Sequence, residues 1–364
     1  MRSPALIVPV QTRVITVDPD HPDPEKLKPA AESLQKGGIV AIPTETVYGL
    51  AVDLDKPDSV RRLLEMRESP PEKLITIHVG SQEDAERVAL IPPCGRGRRL
   101  VSKLWPGPLT VVFPGRNGEE VGVRFPAHRA AAEVLRQARV RAGVPSANRS
   151  GQPPATTGAE VLERFGGKID VLVDAGPARH KLSSTVVRAV GTRLEVMREG
   201  AIPRSVIEGL DYFSVLFVCT GNTCRSPMAD RLFRRALAAR LRVEESALEE
   251  RGYRVGSAGT GAVPGAGATP PAIQVLREMD LDLSSHRSRP LSMALVQDAD
   301  VVYTMTARHR DLVLEWLPEC GEHIRLLDPR GRDIDDPFGS EIAVYRACAR
   351  RIAEAVEERV KEMT

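Results

Sequence analysis

The 364-residue sequence has no apolar run long enough to cross a bilayer, no repeat of solenoid length and no low-complexity tract. These absences set aside membrane spans, repeat arrays and extended disorder. Cysteine is sparse: five residues without framework spacing argue against a disulfide scaffold and predict free thiols in a reducing compartment. No histidine cluster occurs at ligand spacing, so no protein-held metal site is expected. Charge of one sign is also lacking. Fifty-one basic residues against 49 acidic leave a formal +2, too little for a dedicated nucleic-acid binder, and the run Arg96, Arg98, Arg99 and Lys103 reads as a solvated helix face. The opening MRSPALIVPVQTR, whose short apolar stretch is broken by Pro9, does not read as a signal peptide. A cytoplasmic protein with no membrane partner is expected.

What is present is a globular balance of 42% hydrophobic and 27% charged residues, over a length that exceeds one ordinary core. Helical spacing over Leu27 to Gly37, an apolar strand over Ile39 to Ile42, a helix over Ser59 to Met66 and a strand over Leu74 to Val79 mark a first α/β start. A second begins with the strand Val215 to Val218, after the short bridge Glu208 to Ser214. The boundary is placed near residue 212, giving domains 1–212 and 213–364. The stretch Val140 to Thr157, rich in Pro, Ser, Gly and Asn, is expected to be a functional loop.

Residues 215 to 230 read VLFVCTGNTCRSPMAD: an apolar strand, a glycine-bearing loop, then a helix start. Such a loop can wrap backbone N–H groups around an anion, with the helix N-terminus adding partial positive charge and Arg225 forking onto two phosphate oxygens. The same field stabilises a thiolate at Cys219, which makes it a nucleophile toward phosphorus. Such a reaction needs a carboxylic acid that protonates the departing atom and later activates water. The segment DIDDPFGS offers Asp333, Asp335 and Asp336, with Pro337 stiffening the loop beside the last. Cys224, in the same loop, is a candidate for reversible pairing with Cys219 under oxidation. Cys94, Cys320 and Cys348 read as packing or surface thiols, and His286 and His309 as structural.

On these residues, with Ser257 to Gly259 as the SAG stretch and Asp336, Pro337 and Phe338 as the late Asp-Pro-aromatic motif, residues 213 to 364 resemble the low-molecular-weight protein phosphatases. The resemblance implies a Rossmann-like parallel sheet flanked by helices, with no cofactor. It casts Cys219 as nucleophile, Arg225 as transition-state clamp and Asp336 as acid and base. Thr220, Gly221, Asn222, Thr223, Cys224 and Ser226 would form and tune the phosphate loop. Thr223 and Phe338 stand where tyrosine phosphatases of the family carry an aliphatic residue and a tyrosine. That makes the stretch more similar to bacterial protein-arginine phosphatases and favours phosphoarginine over phosphotyrosine on a protein substrate, with phosphotyrosine left open.

Four further motifs, PTETVYGL (Pro43 to Leu50), LWPGPLT (Leu104 to Thr110), VPSANRSG (Val144 to Gly151) and SSTVV (Ser183 to Val187), gather hydroxyls, amides and glycines that can contact a polar ligand closely. In this order they resemble the YrdC family, which includes L-threonylcarbamoyl-adenylate synthases, over about residues 10 to 205. The resemblance implies an open, mixed, twisted α/β sheet. It implies condensation of L-threonine, bicarbonate and ATP, with Mg2+ accompanying the nucleotide, and pyrophosphate release ahead of tRNA modification at adenosine 37 by a threonylcarbamoyl-transferase complex. Thr46, His78, Arg124 and Ser184 would hold threonine; Arg67, Ser146, Asn148 and Arg198 would hold ATP. The family's Lys-Gly-Arg-Pro segment reads Arg67, Glu68, Ser69 and Pro70 here, and Lys73, Glu120 and Pro154 also depart from its pattern. An N-terminal domain that binds nucleotide or RNA without turnover therefore stays open as the alternative.

Overall fold

The computed structural model describes residues 11–70, 75–191 and 193–363. Their contacts divide the chain into two compact units: one runs to Ile91 and resumes over Leu100–Glu208, and the other takes Pro92–Arg99 together with the chain from Gly209 onward.

The first unit is built on a ten-stranded sheet of mixed direction. Strand Val40–Ile42 pairs parallel with Val171–Asp174 and antiparallel with Gly49–Asp53, while Ile77–His78 runs parallel to Glu120–Arg124. Side chains alternate between faces along each strand, and both faces are apolar, so helices must cover both. Val40, Ile42, Ala51, Val171 and Val173 pack in one core with Leu27, Ala30, Ala31 and Leu34 of helix Pro24–Gln35 and with Val134 and Leu135 of helix Arg129–Ala138. Ala41, Leu50, Val52 and Leu172 point the other way, against Leu63 and Met66 of helix Pro57–Met66 and Val161 and Phe165 of helix Gly158–Phe165. The first helix starts where its sequence says: Asp23 accepts the N–H of Glu25 at 3.0 Å and a proline opens the first turn.

The second unit carries a wholly parallel four-stranded sheet in the order Tyr253–Gly259, Phe213–Cys219, Val301–Thr304, Ile324–Leu326. Val215 and Phe217 face helices Arg225–Leu241 and Ile342–Glu362, whereas Leu216 and Val218 face the core that contains Val296, Val313 and Leu317. The first strand lies inside the sheet with its successors on either side. Its C-terminal end is therefore a topological switch point, where open parallel sheets place ligands. Cys219 is the last residue of that strand.

Two expectations are corrected here. The arginine run is not a solvated face. Arg98 and Arg99 are buried, and Arg99 donates to the carbonyls of Leu210 and Tyr212 at 3.0 and 2.8 Å and to Asp298 at 3.0 Å, its guanidinium lying 3.6 Å from the Tyr212 ring centroid. Those contacts account for the place of residues 92–99 in the second unit; Lys103 alone of the run stays exposed. Nor are all the cysteines free: Cys94 and Cys320 form a disulfide across 226 positions of sequence, a pairing that no local spacing could signal.

Candidate active sites

In the second unit, the loop after Cys219 is held by its carbonyls. Those of Cys219 and Thr220 accept from the N–H groups of Thr260 and Gly261, both at 2.9 Å; that of Asn222 is bonded by His286 Nε2 at 2.7 Å; that of Thr223 accepts from Thr269 N at 2.9 Å. A trans peptide sets each N–H opposite the preceding carbonyl. With these carbonyls drawn outward, the N–H groups of Thr220, Gly221, Thr223 and Cys224 turn to the concave side and form an anion nest. Asn222 takes the left-handed conformation, φ 53°, which lets the chain curl, and its own N–H points at Cys219 Sγ from 3.3 Å.

Cys219 is 2% exposed, and its sulfur has a second polar neighbour. Ser226 Oγ lies 3.0 Å away; it accepts from Asn222 Nδ2 at 2.9 Å, and its proton is shared between the sulfur and the Ala258 carbonyl at 3.4 Å. Arg225, at the start of the helix, is buried; its Nη1 donates to the Ile334 carbonyl at 3.1 Å and its Nη2 pairs with Asp336. Arg225 Nε is buried without a hydrogen-bond partner among the described residues. A buried guanidinium N–H left unmet beside a nest of amides calls for an anion.

Asp333 and Asp335, the other two acids of the segment, are both exposed, Asp335 to 95% at its side chain. Asp333 also accepts the N–H of Ala307 on Oδ1 at 2.8 Å and fastens the acid loop to helix Ala307–Trp316. Cys224 is turned toward Thr269 Oγ1 at 3.3 Å and Tyr345 at 3.6 Å. Cys348 is a buried thiol pushed up to about 12 by loss of solvent. His286 and His309, given only structural parts in the sequence, both touch the phosphate loop, the latter through Thr220 Oγ1 at 2.9 Å. Gly259 explains the SAG stretch: a Cβ there would lie 2.4 Å from the Thr220 carbonyl oxygen.

In the first unit, a cavity is lined by Arg67, His78, Arg124, Ser146, Ser184 and Arg198, with Thr44, Tyr48 and Thr110 among the neighbours. Thr46 and Asn148 lie behind it rather than in its wall. Thr46 Oγ1 is 2.8 Å from Thr44 Oγ1, and Asn148 Oδ1 accepts from Ser146 Oγ at 2.6 Å. Arg67 donates from Nε to the carbonyls of Ser146 and Asn148 at 3.1 and 3.2 Å, and Arg198 reaches the Ser184 carbonyl at 2.8 Å. Burial draws both guanidiniums below their ordinary pKa, with Arg124 adding repulsion at Arg198; both stay charged. Burial, helped by the charge of Arg124, holds His78 well below the usual imidazole range, so it is neutral.

One acid meets these cations. Glu45, unremarked in the sequence, pairs with Arg124 Nη2 at 2.7 Å, both side chains being 4% exposed. With three guanidiniums in its lining and, among the described residues, only that of Arg124 met by an acid, the cavity is electropositive and suited to carboxylate and phosphate groups. The departures from the family pattern are directed elsewhere: Glu68 pairs with Arg149 at 3.3 Å on the surface, and Glu120 accepts from Arg188 Nε at 2.9 and 3.0 Å. Ser69 accepts from Arg67 Nη1 at 3.3 Å. Pro154 is half-buried, and Lys73 lies outside the described residues. The donor set does not fit a protein-held Mg2+. Among the described residues no group of three His, Cys, Asp or Glu gathers, and the one carboxylate beside the cavity is taken by Arg124.

Comparison with known proteins follows the same division. The Sua5/YciO/YrdC family model, described as telomere recombination, matches residues 32–200. The low molecular weight phosphotyrosine protein phosphatase model matches residues 214–364. A threonylcarbamoyl-AMP synthase of Idiomarina loihiensis is 36% identical, covering 40% of this chain and 83% of the relative. A protein-arginine-phosphatase of Geobacillus stearothermophilus is 38% identical, covering 41% and 95%. The chain belongs to both families. Its Sua5/YrdC part is also similar to a threonylcarbamoyl-AMP synthase of Pyrococcus abyssi, 34% identical over half of this chain, and the match spans only 56% of that relative's length. No helix among the described residues is long and apolar enough to cross a membrane.

Proposed function

We propose that the first unit makes threonylcarbamoyl-AMP from L-threonine, bicarbonate and ATP, and that the second hydrolyses phosphoarginine on proteins through a phosphocysteine. For the phosphatase, the observation that carries the reading is the buried Cys219 sulfur facing the Asn222 N–H in a loop whose helix begins with a buried Arg225 that leaves its Nε unmet among the described residues. A bound phosphoryl group would receive the nest N–H groups and the guanidinium, and the sulfur would attack phosphorus from below. Asp336, released from Arg225 by the incoming anion, would protonate the leaving nitrogen and then take a proton from the attacking water. Thr223 supports phosphoarginine because its hydroxyl can bond the leaving nitrogen.

For the synthase, the electropositive cavity carries the reading. Arg124, neutral His78 and Ser184 would hold the threonine carboxylate and its carbamate, and Arg67, Ser146 and Arg198 the triphosphate, with Thr46 and Asn148 bracing the walls. Any Mg2+ would arrive on the nucleotide's own phosphates, and the product would pass to the complex that modifies tRNA adenosine 37. Substrates of that kind are consistent with a cytoplasmic enzyme.

Pyrophosphate release that requires both threonine and bicarbonate tests the first activity; ATP binding without release would leave a binding module. Hydrolysis of p-nitrophenyl phosphate, then of phosphoarginine and phosphotyrosine peptides, tests the second. Cys219→Ser is expected to abolish all three, and faster turnover of the tyrosine peptide would reverse the substrate assignment.

A further inference from the structure

His309 sits beneath the phosphate loop, 7% exposed, between two hydroxyls: Nε2 is 2.9 Å from Thr220 Oγ1 and Nδ1 is 2.8 Å from Thr306 Oγ1. Burial pushes the imidazole down to about 4, with Arg225 lowering it further and Asp336 opposing. The ring is therefore neutral at physiological pH and carries one N–H, and it lies near enough to Arg225 and Asp336 to feel their charge.

The hydroxyls decide which nitrogen holds that proton. Thr306 Oγ1 already accepts the backbone N–H of His309 at 3.3 Å as the helix cap, so its own proton is free to point at Nδ1. Nε2 must then donate to Thr220 Oγ1. The opposite tautomer would leave the half-buried Thr306 proton without an acceptor, whereas this one leaves the Thr220 proton unspent, on an exposed residue of the loop.

We infer that His309 is a positioning residue that holds Thr220 Oγ1 as an acceptor, so that the Thr220 hydroxyl donates to an oxygen of the phosphoryl group in the loop. This rests on the phosphatase reading above. It adds a side-chain donor to the amide nest, set by a residue 89 positions away.

Three measurements on the full chain test it. In 15N spectra at pH 7 the His309 ring should show the Nε2–H tautomer, with that resonance moving in Thr220→Val. Inorganic phosphate should bind about tenfold more weakly to Thr220→Val and to His309→Leu, the loss of one hydrogen bond to an anion. The double variant should be no weaker than either single one, and His309→Gln, whose amide reaches the Nε2 position, should retain most of the affinity. An Nδ1–H tautomer, unchanged phosphate binding in Thr220→Val, or losses that multiply in the double variant would each overturn the relay. Thr220 is exposed, so its variant keeps the test open should His309→Leu fail to fold. Neither readout needs turnover, so a wild-type chain that binds phosphate as described yet hydrolyses nothing would sink the phosphatase reading and leave the relay standing.

Discussion

At the scale of single residues, the two sites handle buried charge differently. Arg124, in the cavity wall, is neutralised by the buried Glu45, and removing the acid leaves a guanidinium without a counter-charge in a low-dielectric setting. Glu45→Ala is expected to destabilise the first unit by about 3 kcal/mol, read as a lower urea midpoint from Trp105 fluorescence in a Trp316→Phe background; an unchanged midpoint would mean that water replaces the carboxylate. His309 gives a pH dependence. Its pKa of about 4 in the folded chain lies below the unfolded value of about 6.5, so the unfolded state binds the extra proton between the two. Stability from this group is complete above pH ~6.5 and declines as pH falls toward ~4. His309→Gln should flatten that decline, measured by Trp316 fluorescence in a Trp105→Phe background. Glu45 and His309 were both silent in the sequence, because a carboxylate in a turn and a histidine on a polar helix carry no periodic signal; only the partner brought by folding gives each a task.

At the scale of elements, the phosphate loop is legible where its chemistry is local. Cys219, Asn222, Arg225 and Ser226 fall within one strand–loop–helix, and their spacing is their geometry. What pins the loop is not local: Thr260 and Gly261, His286 and Thr269 hold its carbonyls from other segments. Gly259 is the tightest of these supports. Gly259→Ala would press a methyl within 2.4 Å of the Thr220 carbonyl and 2.8 Å of the Asn222 nitrogen, so the loop must shift. A misplaced nest should cost about a hundredfold or more in kcat/KM for p-nitrophenyl phosphate, with a small change in melting temperature. Retention of full activity would show that the loop adapts. In the first unit the same division holds: the hydroxyl-rich motifs were visible, but the parting of Thr46 and Asn148 from the cavity wall came only with the pairing of distant strands.

At the scale of the whole molecule, the cysteine count misled. Five cysteines without a framework predicted free thiols, yet Cys94 and Cys320 are joined across 226 positions. A cross-link over so long a stretch constrains the unfolded chain, and its loss should cost about 5 kcal/mol. Dithiothreitol and Cys320→Ser should therefore lower the thermal midpoint of the second unit by similar amounts, and dithiothreitol should add nothing to the variant; equal midpoints with and without reductant would show that the two thiols are unbonded.

The sequence alone determined that both halves begin as alternating strands and helices, since those periodicities are short-range consequences of backbone geometry, while the two sheet architectures were implied by the family resemblances. It also determined the chemical core of the phosphate loop, where the reacting groups sit within a few residues of one another. The tertiary structure alone decided which buried charges are compensated, which carbonyls are pinned and which cysteines meet. Each of those depends on groups tens to hundreds of positions apart sharing a few ångströms of low-dielectric interior, where an unmet hydrogen bond or charge is too costly to leave unpaired.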